Sequence, residues 1–209
     1  MPWGWKTTIW KQLHKELSKF FNIDFKDFDD DILEKITLEE AEELIWILKF
    51  ANIWITPEKL ANQTVANILN ILWDENFLNL EWYIWKQLKF KNPTILSTSG
   101  SLPLKLWAMK NLREQWKVIY IDTPIHIIEK RLKLMKIDRI VWMKTWKTLR
   151  EILEYRKDYY EASYDYKFNS EIKNHIEITD LEIIKKQQNE IFDKFQIFFK
   201  NKINAKIIL

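Results

Sequence analysis

Residues 1–13 read MPWGWKTTIWKQL. Lys6 and Thr7 follow a turn containing Pro2 and Gly4, and apolar residues at 9, 13, 17 and 20 then recur at helical spacing. This is the outline of a phosphate-binding loop, G-x-x-x-x-G-K-S/T, leading into a helix. In such a loop the backbone N–H groups and the positive end of the helix wrap a phosphate, and the lysine reaches the outer phosphates. Two places of the pattern are not filled. Trp5 stands on the second glycine, and the first would fall one residue before Met1. A glycine lets the backbone approach the anion and take dihedrals closed to a residue with a Cβ. An indole at position 5 would fill the anion site. The strand expected ahead of the loop is also missing, so the natural start is expected upstream, with Met1 an internal methionine.

The composition bears on Trp5. The 209 residues include 2 Gly and 12 Trp, where an ordinary domain of this length holds roughly 15 glycines. Trp3 and Trp5 flank Gly4, Trp54 precedes ITPEKL, Trp73 precedes DENF, and Trp116 stands where a helix passes into VIYID. Trp142 and Trp146 lie in the polar stretch RIVWMKTWKTL. These are turn and cap positions rather than core positions. The expectation is that many of these tryptophans, Trp3, Trp5, Trp10, Trp73, Trp116 and Trp142 among them, are encoded by UGA and are glycine in the cell that makes the protein.

The rest of the composition is that of a globular protein, 47% apolar and 30% charged, with a net charge of +3. So small a basic excess argues neither for nor against nucleic acid. There is no cysteine, which excludes disulfides and thiolate metal sites. No apolar run reaches the roughly 18 residues of a membrane span, and no leader pattern opens the chain. A cytoplasmic monomer acting on a small molecule, with no nucleic-acid or membrane partner, is expected.

Periodicity places helices at 7–20, 38–50, TPEKLANQTVANILNIL, DENFLNLEWYIWKQLK, LKLWAMKNLREQ, IHIIEKRLKLM, 147–162 and 181–200. Thr37 with Glu40 reads as a capping box, and Thr56 with Pro57 as an N-cap followed by a first-turn proline. TILSTS, KVIYID and HIEITD read as strands, and IDFKDFDDDI as a short alternating stretch ending in acidic residues. Helices alternating with buried strands predict an α/β fold, a three-layer parallel sheet with helices on both faces and its first strand missing. The chain reads as one domain, 1–209.

Taken in order, these segments resemble the shikimate kinase family of phosphate-loop kinases. KTTIWKQL is similar to G-K-S-T-x-G-R-x-L with Trp10 on a glycine, KDFDDDI to D-T-D-x-x-I, and WDENFLNLE to G-E-x-x-F-R-x-x-E. TILSTSGSLPL resembles the strand that leads into a G-G-G or G-G-S turn, and WKVIYIDTPIHIIEKRL the G-x-V-V-Y-L-D-x-P segment. LREILEYRKDYYEASYDYKF resembles the closing R-x-x-x-Y-x-x-x-A-D segment, and the resemblance implies a helical acceptor-binding insertion at about 32–90 and a lid at about 133–147 that contains DRIVW.

The resemblance implies phosphoryl transfer from ATP, with Mg2+, to a hydroxyl of a small metabolite, first of all shikimate. It implies that Pro2, Trp3, Gly4, Trp5, Lys6, Thr7 and Thr8 cradle the nucleotide, with Lys6 and the lid residue Arg139 on its phosphates. It places Thr7 and Asp27 at the metal, Asp29 on the acceptor hydroxyl as base, and Ser99, Gly100, Ser101 and Arg156 around the acceptor. Without the resemblance, Asp27 to Asp31 would read as a solvated acidic turn and Arg156 as a helix-surface ion pair.

Two departures stand out. Leu78 replaces the arginine of the F-R pair, one of the groups that would hold a carboxylate. The stretch between Asp29 and Trp73 is also longer than in the family. A related kinase for another small alcohol or a nucleotide therefore stays open. So does a non-catalytic binding protein, should the tryptophans be real.

Overall fold

The computed structural model describes residues 6–50, 54–135, 140–141, 148–171 and 181–204. Helix α1 (Lys6–Leu17) opens it and leads to β1 (Asp24–Asp27). Asp27 caps the next turn, a π-helix over Phe28–Ile32: its side chain accepts from the N–H groups of Asp29 and Asp30. Wide turns of this kind are rare and gather at functional sites.

Helix α2 (Leu38–Phe50) starts with the expected capping box, the Thr37 N–H donating to Glu40 at 2.8 Å and the Glu40 N–H to the Thr37 hydroxyl at 3.2 Å. The next helix does not begin at Thr56 and Pro57. That proline starts only a short 3-10 turn, Pro57–Lys59. Asn62 then takes a φ of 51°, and α3 (Val65–Gln87) starts from an N-cap at Thr64, whose side chain accepts from the Asn67 N–H. Inside α3 the helical dihedrals fail at one residue, Trp73, at φ 62° and ψ 168°.

The second half alternates strand and helix as expected: β2 (Thr94–Ser97), α4 (Leu106–Gln115), β3 (Ile119–Asp122), α5 (Ile125–Met135), α6 (Leu149–Glu161), β4 (Tyr166–Asn169) and α7 (Leu181–Phe199). Strand β4 was not anticipated, because its alternation YKFN is only four residues long. The expected strand HIEITD lies outside the described residues.

All pairings are parallel. Strand β1 pairs with β2, Asp24 opposite Thr94, and β3 pairs with β4, Ile119 opposite Tyr166. The described strands thus form two two-stranded sheets rather than one continuous sheet. One apolar cluster nonetheless spans both. Ile9, Trp10 and Leu13 of α1 and Ile191, Phe195 and Phe199 of α7 pack on Phe25 and Ile95 of the first sheet and on Ile121 and Phe168 of the second.

Because side chains alternate along a strand, Tyr120 points the other way, into a cluster with Ile128 and Leu132 of α5 and Ile152 and Leu153 of α6. Helices therefore cover both faces. A third cluster joins α2, α3 and α4 around Phe28, Leu33, Leu72 and Phe77, and so ties the helical segment after β1 to the rest of the domain.

Trp10, expected to stand on a glycine, packs edge-on against Phe195 with centroids 5.3 Å apart. Trp116, expected to need glycine as a helix terminator, sits at φ −130° and ψ 152°. That is extended backbone open to any residue.

Candidate active site

The carboxyl ends of β1 and β2 meet the start of α1. The Thr7 hydroxyl donates to Asp27 Oδ2 at 2.8 Å and lies 3.1 Å from Ser97 Oγ. Asp27 and Ser97 are buried. Asp27 is held from both sides: its Oδ1 takes the N–H of Asp29 at 3.1 Å and of Asp30 at 3.3 Å, and its own N–H donates to Asp31 at 2.9 Å. The Lys35 ammonium lies 3.0 Å from Asp31. The Asp31 carboxyl falls below the usual carboxylate range: burial opposes this, and the Asp27 N–H and Lys35 outweigh it.

Two hydroxyls and a carboxylate in a tight cluster are the hard oxygen donors that Mg2+ takes, in company with substrate phosphates. Thr7 and Asp27 were both expected here. Ser97 was not singled out, although its place, last in an apolar strand, gave the signal. Among the described residues no group of three His, Cys, Asp or Glu forms a metal cluster. Lys6 opens α1 at the rim of the same region. The structure offers no placement for Pro2, Trp3, Gly4, Trp5 and Arg139, which lie outside the described residues.

A second cluster lies beside the first. A small cavity of about 30 Å³ brings together Asp29, Glu81, Ser99, Gly100, Ser101 and Arg156 under Ile140 and Val141. All the residues expected to bind the acceptor therefore converge. The volume holds about one water, so the site is closed in this form.

Arg156 is no surface residue: it is 1% exposed, and its Nη2 donates to the Val141 carbonyl at 2.8 Å. One helical turn on, the Tyr160 hydroxyl donates to the Gly100 carbonyl, and burial pushes this phenol up to about 12. The turn over residues 99–102 is held by its own side chains, the Leu102 N–H donating to Ser99 Oγ at 3.3 Å and Ser101 Oγ to Glu81 Oε2 at 2.6 Å.

Glu81 was missed as a site residue, although it is the final glutamate of the quoted WDENFLNLE. It is 1% exposed, and its Oε1 is buried without a hydrogen-bond partner. Burial, and then the Asp29 carboxylate, push its carboxyl up to about 8, against the pull of Ser101, Ser99 and Arg156. At neutral pH it is therefore mostly a neutral acid, able to donate to a hydroxyl. Beside Asp29 this makes a donor–acceptor pair suited to gripping an alcohol. Leu78, where an arginine was expected, is buried at 2% exposure.

The model of the family described as "Shikimate kinase" matches residues 51–195, well over half of the chain. The chain belongs to the shikimate kinase family. The match begins at residue 51, after the loop, Asp27 and Asp29.

The fold agrees over nearly the whole chain. A shikimate kinase from Bacteroides thetaiotaomicron superimposes with a TM-score of 0.55 at 20% identity, over 94% of this chain and 92% of that one. The shikimate kinase from Acinetobacter baumannii in complex with shikimate superimposes with a TM-score of 0.59 at 19% identity, over 97% and 91%. Among curated sequences, threonine synthase-like 1 from Macaca fascicularis is 34% identical over 109 residues, and its Mus musculus counterpart 35% over 108. These matches take in 52% of this chain, which spans only 14% of those proteins.

Proposed function

We propose that the protein transfers the γ-phosphoryl group of ATP, with Mg2+, to a hydroxyl of a small polyhydroxylated metabolite, shikimate being the first acceptor to test. The observation that carries this reading is the adjacency of the two clusters: Thr7, Asp27 and Ser97 on the donor side, and Asp29, Glu81 and Arg156 on the acceptor side, bridged by the turn that Asp27 caps.

Magnesium supplies charge neutralisation on the transferring phosphoryl group, and little else is asked of phosphoryl transfer beyond positioning. Asp29 orients the acceptor hydroxyl and takes its proton. Glu81, as a neutral acid, donates to a neighbouring hydroxyl. Arg156 offers its guanidinium to an acceptor carboxylate. Lys6 meets the phosphates at the start of α1, and the lid at about 133–147 closes over them with Arg139.

This reading needs glycine at position 5. Support for glycine behind the tryptophan codons comes from Trp73. Its dihedrals, φ 62° and ψ 168°, fall in a region open essentially to glycine alone. The side chain is 72% exposed, so packing does not compensate the strain. We propose UGA at Trp73 and Trp5 alike. Sequencing the gene checks it: UGG at both codons removes the support and favours a binding protein with a blocked loop. Mass spectrometry of protein from its native host reads the same point.

A second acceptor class is favoured by one observation. With Leu78 in place of arginine, Arg156 is the one cation among the described residues that line the cavity, and a neutral polyol loses less there than a carboxylate. ADP release measured with glycine at the suspect sites, over shikimate, neutral polyols and nucleosides, decides between them. Turnover of shikimate alone supports the first acceptor. Silence on shikimate with turnover of a neutral alcohol replaces it. In that case Leu78→Arg should lower KM for carboxylate acceptors by about tenfold or more, the factor that a charge-assisted contact of about 1.5–3 kcal/mol gives.

A further inference from the structure

Glu81 reaches the acceptor cavity from α3 and is 1% exposed. Its two oxygens are not equivalent. Oε2 accepts from the Ser101 hydroxyl at 2.6 Å, whereas Oε1 is buried with no hydrogen-bond partner. The charged and titratable groups that face Glu81 are Asp29, from the turn after β1, and Arg156 and Tyr160 of α6. The turn after β2 brings only the hydroxyls of Ser99 and Ser101. On its own helix Leu78, one turn back, is apolar and buried, as are Ile140 and Val141 over the cavity. The Tyr160 phenol, pushed up to about 12, stays neutral. A carboxyl group so enclosed, beside the Asp29 carboxylate, ionises at a cost, and it titrates at about 8.

The geometry places the proton. Oε2 already receives a hydrogen from Ser101, so the hydrogen of the neutral acid sits on Oε1. The cavity then holds two donors, the Glu81 Oε1–H and the Arg156 guanidinium, and one carboxylate acceptor, Asp29. A carboxylate accepts only, and its two oxygens suit two donors. A hydroxyl placed on the same two donors would bring a hydrogen of its own. While Glu81 is neutral, the charges of Asp29 and Arg156 cancel, so an anionic acceptor meets no net repulsion. Ionising Glu81 would leave the cavity negative and remove the Oε1–H donor as well.

We infer that the acid proton of Glu81, carried on Oε1, is the second donor, beside Arg156, for a carboxylate on the acceptor, so that Glu81 makes the cavity select hydroxy acids for as long as it keeps that proton. The inference rests on the phosphoryl-transfer reading and narrows its acceptor to a carboxylated alcohol. The proton of Glu81 offsets the donor that Leu78 lacks.

Shikimate and its methyl ester carry the same hydroxyls and differ in charge, so they are the probes. Binding of each is measured by calorimetry without nucleotide, between about pH 6 and 9.5, on the protein used for the ADP-release assay. The Kd of shikimate should rise about tenfold per pH unit above 8, the slope of one required proton, while that of the ester stays level. Glu81→Gln keeps a donor on the same atom position, so it should bind shikimate close to the parent at pH 7 and lose the pH dependence. Glu81→Leu, with no donor, should weaken shikimate about tenfold or more and the ester less. Parallel pH profiles for the two probes overturn the inference, and this comparison needs only the parent protein. So do equal losses in the Gln and Leu variants, or a cavity that takes the ester but not shikimate. ADP release separates the two readings. Binding with the expected profile but no turnover removes phosphoryl transfer and leaves the role of Glu81, and turnover of shikimate with parallel profiles does the reverse.

Discussion

At the scale of single residues, two side chains are held against their own preferences. Trp73 keeps a glycine backbone conformation inside α3 while most of its ring faces solvent. Strain of this kind costs of order 1–3 kcal/mol. Trp73→Gly should therefore raise the unfolding free energy by about that amount in denaturant titrations, although glycine within a helix ordinarily lowers it. An unchanged or reduced value would count against the strain. Glu81 is the other case. Its folded-state carboxyl is raised from 4.5 to about 8, so the unfolded chain gives up this proton first. The contribution is fully present below pH 4.5 and is lost as pH rises towards 8. Glu81→Gln, which carries no such proton, should gain in melting temperature relative to the parent between those limits, and a parallel pair of pH–melting curves would refute this.

At the scale of elements, caps decided more than composition did. Thr37 with Glu40 was legible because a capping box is a local pattern, satisfied within four residues. Thr56 with Pro57 carried an equally good local signal and lost. Thr64 has its hydroxyl on the Asn67 N–H, and the Val65 N–H finds Glu34, 31 positions back in the chain, at 3.0 Å. That distant acceptor is invisible to any local rule. Helix α6 carries Arg156 and Tyr160 to the cavity proposed to take the acceptor, from a start fixed by the capping box of Thr148 and Glu151. Thr148→Ala should cost about 0.5–2 kcal/mol of stability, read by thermal unfolding, and raise KM for the acceptor before it alters kcat. A stability change with no shift in KM would separate the cap from the site.

At the scale of the whole molecule, the two described pairs of strands are held together by one apolar cluster that α1 and α7 build across both. The same architecture explains how the site forms: Thr7, Asp27 and Ser97 come from three elements whose ends coincide only because β1 and β2 run parallel and α1 starts at their carboxyl end.

By itself the sequence determined the alternation of helix and strand, the lysine–threonine start of α1, the acidic turn after β1 and the oddity of tryptophan in glycine places. Each is written in neighbouring residues, through side-chain period, cap chemistry or backbone freedom. Only the tertiary structure decided that Ser97 joins Thr7 and Asp27, that Glu81 lies buried beside Asp29 as a neutral acid, that Arg156 is interior, and that the described strands fall into two parallel pairs. Those facts depend on desolvation and on contacts between segments tens of residues apart, which no local pattern encodes.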